Sequence, residues 1–158
     1  MAPHRLRAAF RRIAAGVAFV TTEVDDAPVG LIVSSFTAVS HDPPMISFCP
    51  ARDSLTWRRM RTSSTFTVNV LAEHHRSFAR AAAPAGADRF AEPLRDPLAA
   101  LDCTLEAELP YGDHSIVVAR VDRLDVSEDA DPLVYFAGRF GAFHPHHQEI
   151  PCPPNSNL

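Results

Sequence analysis

Two stretches carry residue types that could do chemistry. Residues 33–44, VSSFTAVSHDPP, set Ser34, Ser35, Thr37 and Ser40 in a row and end on two prolines. Side chains alternate across a strand, so the adjacent Ser34 and Ser35 must aim at least one hydroxyl toward a barrel interior or a cleft. A buried hydroxyl needs a partner. Neighbouring backbone would serve, and so would a polar heterocycle. The second stretch, YGDHSIVVARV (111–121), carries Asp113 and His114 at a tight turn ahead of an apolar strand. Such an Asp can simply cap the turn. It can also fix an imidazole that orients a ligand. Taken alone, each stretch leaves both readings open.

Other chemistries are excluded. The 158-residue chain has 15 basic residues, all Arg, so lysine Schiff bases and P-loop lysines are absent. The formal charge of −4 gives no electrostatic drive toward nucleic acid or an anionic membrane. There is no G-x-G-x-x-G, G-x-S-x-G or H-E-x-x-H pattern, and no carboxylate pair placed for acid–base work stands out. His144, His146 and His147 lie in a Pro-rich tail without a second ligand cluster, and no metal site is expected. The three cysteines, Cys49, Cys103 and Cys152, are odd in number and far apart, which reads as a reduced, cytoplasmic protein. The arginine-rich start is followed by only eight apolar residues, Ile13–Val20, too few for a targeting signal, and no segment suits a membrane span.

The elements that must position the two stretches follow from periodicity. Leu6, Phe10 and Ile13 predict an amphipathic helix over 4–14, stopped by Gly16. Val17–Val24 and Val29–Ser40 predict a hairpin around a DDAP turn, in which Asp25 and Asp26 are turn residues. Pro43 and Pro44 end the second strand, and Met45–Cys49 reads as a third. Ser54 caps a helix over 55–61, whose Trp57 reads as core or packing. Thr65–Leu71 alternates as a strand, Glu73–Ala83 as a helix with His74 and His75 on its wet face, and 84–98 as a loop. Leu101–Leu109, Ser115–Val126 and Pro132–Ala137 complete the strands. Many strands without βαβ alternation predict an antiparallel barrel with peripheral helices. Residues 1–143 form one domain, with 144–158 a tail.

In order along the chain, FRRIAAGVAFVTT, PVGLIVSSFTAVSHDPPMISFC, FTVNVL, DRF, LDCTLEAELPYGDHSIVVARV and PLVYFAGRFGAF resemble the flavin reductase family. These are small split-barrel NAD(P)H:flavin oxidoreductases, many of which supply reduced flavin to a separate monooxygenase. The resemblance covers about Phe10 to Phe143 and rests most on S-S-F-x-x-V-S-x-D-P-P together with G-D-H.

It implies a mainly β fold, an antiparallel six-stranded Greek-key split β-barrel with a few peripheral helices. It also implies hydride transfer from NADH, with NADPH left open, to FMN or FAD. By position, Val33, Ser34, Ser35, Phe36 and Thr37 run along the flavin ring, and Ser40 lies near the ribityl chain. Arg52, Ser54, Leu55 and Thr56 belong to the segment that holds the phosphate, with Arg52, Arg58 or Arg89 to neutralise it. Asp113 and His114 form the G-D-H match; His114 faces the nicotinamide and is the candidate catalytic residue. Arg139 and Phe140 help close the pocket. The resemblance implies a homodimer and a diffusing monooxygenase partner, with no nucleic acid or membrane. Three departures stand out: His41 before D-P-P in place of an apolar residue, a short lead-in to Leu101, and Phe140 where Tyr is common. Rival readings are a barrel that keeps its FMN without reductase activity, a pyridoxamine-phosphate-oxidase-like barrel and a non-enzymatic interaction barrel.

Overall fold

The computed structural model describes residues 2–127 and 130–143. The chain opens with α1 (Pro3–Phe10), whose proline stands in the first turn, where no helical N–H is needed. The helix ends earlier than the predicted 4–14. Arg12 and Ile13 N–H reach back three residues to Ala9 O (2.9 Å) and Phe10 O (3.1 Å), tightening the last turn. Gly16, expected to stop the helix, lies instead in β1 (Ala15–Gly16).

β2 (Ala18–Val24) and β3 (Ala27–Val33) form the expected hairpin. Its turn is Asp25–Asp26, both at positive φ (53° and 58°), the left-handed pair that a two-residue hairpin requires and that Asp tolerates. The predicted strand Val29–Ser40 is not one strand. It breaks after Val33, and β4 (Thr37–His41) pairs instead with β5 (Pro44–Phe48). The double proline is the turn and first residue of that second hairpin, where a missing N–H is harmless.

The remaining strands are β6 (Thr65–Val70), β7 (Ala99–Tyr111), β8 (His114–Val126), β9 (Leu133–Phe136) and β10 (Arg139–Ala142). One sheet of seven has the order β3-β2-β6-β7-β8-β5-β4, and a second of three has the order β1-β9-β10. The fold is the expected mainly antiparallel β barrel, but with seven strands in the large sheet rather than six, and with β10 added by a turn at Ala137 and Gly138. β3 and β4 are neighbours in sequence yet occupy opposite edges of the seven-stranded sheet. Only Ser34–Phe36 joins them. Four Cα steps span at most about 14 Å, so this link forces the sheet to curl until its edges meet. The barrel is closed there by covalent chain rather than by a ladder.

The core follows from that curl. Val20, Val33, Phe48, Phe66 and Val117 share one buried cluster with Trp57 and Met60 of α2 (Leu55–Met60). Trp57, 1% exposed, meets Phe48 edge-on at 5.4 Å, as the packing reading of this residue expects. A 3-10 turn, Glu73–His75, and α3 (Arg76–Ala82) stand where one helix is predicted. Val17, Phe19, Leu71, Ala79 and Leu133 form a second cluster. The 84–98 stretch is a loop, as predicted. The tail from 144 lies outside the described residues. Among the described residues no helix is long and apolar enough to cross a membrane.

Candidate functional site

The link Ser34–Phe36 has an unusual local chemistry. It belongs to neither ladder, because β3 ends with Val33 opposite Ala18 and β4 starts with Thr37 opposite Ser47. Its alternation places Val33 in the core and packs Phe36 against it, while Ser34, Ser35 and Thr37 face out. Of the two directions expected for the paired serines, barrel interior or cleft, the interior is corrected. Both are exposed, since the link turns away from strand geometry at that point. Ser35 Oγ accepts the Cys49 N–H at 2.8 Å, pinning the link to the end of β5. Thr37 Oγ1 donates to Ala38 O at 3.3 Å. Ser40 is half-buried on β4, opposite Met45.

Beyond Cys49 the chain runs back along β8. Ala51 bridges to His114, Ser115 N–H donates to Pro50 O (3.0 Å), and Arg52 N–H donates to Asp113 O (2.9 Å). Arg52 Nη1 also donates to Gly112 O at 3.0 Å. The Asp113 carboxylate lies 2.8 Å from His114 Nδ1, and that hydrogen bond holds its carboxyl below the usual range. Three stretches far apart in sequence, 34–37, 49–56 and 111–115, thus form one continuous rim. At its end Ser54 caps α2, its Oγ accepting the Trp57 N–H at 3.2 Å. Leu55 is exposed and Thr56 half-buried beside it.

Behind the rim lies a cavity of about 540 Å³ lined by Arg52, Trp57, Arg58, Arg61, Glu108 and Ser115, among others. Trp57 Nε1 donates to Glu108 Oε1 at 3.1 Å and Arg61 pairs with the other oxygen at 3.2 Å. Burial pushes the Glu108 carboxyl up, but hydrogen bonds from Trp57, Ser115 and Arg61 together hold it below its ordinary value. Sequence inspection named Arg52 and Arg58 but missed Glu108 and Arg61 beside them. Arg58 in α2 and Arg61 at its C-cap, three apart, were the available signal.

The other nominated residues lie elsewhere on the chain. Arg89 donates to Ala82 O (2.8 Å) and Pro84 O (3.1 Å), closing the 84–98 loop onto the end of α3. It borders a larger groove of about 920 Å³ whose wall includes Phe19, Thr21, Asn69, Phe90 and Asp102, and which none of the rim residues lines. Arg139 is exposed on β10, and Phe140 packs on Tyr135 with ring centres 5.4 Å apart. His75 departs from its expected wet face: it is 6% exposed. Its Nδ1 accepts the Ala72 N–H (3.0 Å), so Nε2 carries the proton and donates to Arg95 O (2.7 Å). Burial lowers its pKa, reinforced by His74 and opposed by the Arg95 carbonyl. Among the described residues no group of three or more His, Cys, Asp or Glu side chains is placed to hold a metal.

Known proteins resemble this chain in sequence and in fold. The flavin reductase like domain family matches residues 10–144. The reductase subunit HsaB of a flavin-dependent monooxygenase from Rhodococcus jostii is 34% identical over 99% of this chain and 85% of its own length. An NADH:FMN oxidoreductase from Rhodococcus erythropolis is 32% identical over 85% of this chain and 78% of its own. Among solved structures, a nitrilotriacetate monooxygenase component B homologue from Mycobacterium thermoresistibile superposes with a TM-score of 0.87 at 28% identity, covering 98% of this chain and 93% of that one.

Proposed function

We propose, given that this chain belongs to the flavin reductase-like family, that its rim binds a flavin and a nicotinamide dinucleotide side by side and passes a hydride from NADH to the flavin. The observation that carries this reading is the convergence of the link, the phosphate segment and the His114 hairpin through the Ser35–Cys49 hydrogen bond and the Ala51–His114 bridge.

The residues fit a flavin. A pyrimidine edge offers donors and acceptors together, and Ser34–Phe36 offers exposed backbone of both kinds, spent on no ladder. When bound, the flavin supplies the two-electron acceptor chemistry. The chain positions and polarises. Backbone N–H groups of the link, spent on no ladder, would be the donors for the ring edge on which negative charge grows. Ser40 on β4 would serve the ribityl chain, and Thr56 with Arg58 would serve the phosphate at the start of α2. His114 orients the carboxamide of the nicotinamide. The Asp113 carboxylate favours a proton on Nδ1, which leaves Nε2 as an acceptor toward that amide. No general base is required.

FMN or FAD as acceptor, NADH as donor, and a diffusing flavin-dependent monooxygenase as consumer of the product are part of this proposal. So is a cytoplasmic setting, supported by the unpaired Cys49 and Cys103. A homodimer is proposed on the exposed Phe10, Ile13 and Phe136, which gather where Ala137 N–H donates to Arg11 O at 2.8 Å. Arg139 and Phe140 would close the pocket in that assembly. The test is NADH consumption followed at the nicotinamide absorbance with FMN, FAD and riboflavin in turn. Turnover that depends on added flavin is expected; absence of turnover with all three would overturn the reading.

A further inference from the structure

The tip of the β7–β8 hairpin is a two-residue turn, Gly112–Asp113, between the paired Tyr111 and His114. A turn this short leaves its two carbonyls outside the ladder, free to accept from another part of the chain. Both donors come from one residue. Arg52 N–H bonds to Asp113 O at 2.9 Å, and Arg52 Nη1 bonds to Gly112 O at 3.0 Å. Arg52 is itself held, because Arg58 Nε donates to its carbonyl at 3.3 Å. The imidazole of His114 is fixed to Asp113, the residue whose carbonyl Arg52 takes. The chain of contacts therefore runs from the segment ahead of α2, through Arg52, into the turn that carries His114.

We propose that Arg52 is a positioning residue for the dinucleotide half of the site. It docks the hairpin tip so that His114 meets NADH in a fixed place, and its guanidinium is not a ligand of the flavin phosphate. This inference rests on the reductase reading above. Turning Arg52 Nη1 onto a phosphate would take that donor from Gly112 O and leave the tip held by the Arg52 N–H bond to Asp113 O alone. The anion is left to Thr56 and Arg58. A guanidinium matches two acceptors at fixed angles, whereas a lysine ammonium is a point donor on a flexible stem.

The test compares wild type, Arg52→Met, Arg52→Lys and His114→Ala in steady-state kinetics, with flavin affinity measured separately by titration of FMN and riboflavin. Arg52→Met keeps the backbone N–H and its bond to Asp113 O. It should raise the apparent KM for NADH about tenfold, the effect of one charge-assisted hydrogen bond, with kcat at saturating NADH within twofold. Affinities for FMN and for riboflavin should both stay within twofold, which also reports an intact fold. Arg52→Lys should recover part of the loss. In the His114→Ala background, Arg52→Met should add nothing further to the NADH KM. A tenfold loss of FMN affinity with riboflavin affinity unchanged would overturn the inference, as would an unchanged NADH KM in Arg52→Met. If Arg52→Met did not fold, Arg52→Lys would decide the matter through the same NADH-against-FMN split. Wild-type protein that does not oxidise NADH defeats the reductase reading instead, so the two failures are distinguishable.

Discussion

Replacing Gly30 by alanine probes how tightly the barrel's first edge is packed. Gly30 lies in β3 opposite Thr21. A Cβ built there would sit 2.6 Å from Phe19 Cε2, 2.9 Å from Phe19 Cζ and 2.9 Å from Val20 O. Favourable carbon contacts lie at roughly 3.5–4.0 Å, so something must move. The Phe19 ring is only 3% exposed and is held edge-on by Phe78 at 5.1 Å and tilted against Phe90 at 5.5 Å. The Val20 carbonyl belongs to the backbone of β2 and cannot swing away. Overpacking of this kind costs about 1–3 kcal/mol. Removing the conformational freedom of a strand glycine returns roughly 0.5–1 kcal/mol. The central values leave a net loss of about 1 kcal/mol, which lowers the midpoint of thermal unfolding by roughly 2–4 °C for a chain of this size. Circular dichroism melts of the two proteins at one concentration would read it. An unchanged or raised midpoint would refute the reasoning, because it would mean that Phe19 repacks without cost.

Trp57→Phe removes the indole donor from a half-buried carboxylate, and should cost about 2 kcal/mol or more at neutral pH by urea denaturation. Glu108 has a lowered pKa, so its contribution is present above the ordinary carboxylate range and lost as pH falls through the folded value; the gap between variant and wild type should shrink toward pH 4. His75 works in a different window. Its folded pKa is also lowered, so the unfolded chain binds more protons on acidification and stability falls as pH drops below about 6.5. Protonation forfeits the acceptor for Ala72 N–H, and protection of the Ala72 and 84–98 amides relative to their intrinsic exchange rates should fall between pH 7.5 and 5.5. In His75→Gln that pH dependence should disappear. Ser35→Ala frees the link from Cys49 and should weaken flavin binding several-fold in a fluorescence titration while the melting point stays within a few degrees; equal affinity in both proteins would count against the rim.

Much of this site can be read in the sequence, and the gaps have physical causes. Thr65–Val70 alternates cleanly because one face is core, and Ser54 announces α2 because a cap is a local interaction. The Asp-Asp and Gly-Asp turns are visible for the same reason. Partners set by tertiary closure are not. Nothing in V-S-S-F-T states that Val33 and Thr37 belong to opposite sheet edges, since either residue looks equally at home in a strand. The carbonyls of Gly112 and Asp113 find their donor at Arg52, 60 residues back. β10 is four residues with a glycine among them and carries no period. His75 looks wet beside His74, yet it stands three places after Ala72, the position from which a side chain reaches back to a helix-start N–H.

The most direct test of the central claim is a flavin titration of uniformly labelled protein followed by amide chemical shifts. The rim account predicts that the amides of Ser34–Thr37, Cys49, Ala51–Thr56 and Tyr111–Ser115 move together with one saturating affinity. Movement confined to Thr21, Thr67, Asn69 and Phe90 would place the ligand in the larger groove and contradict it.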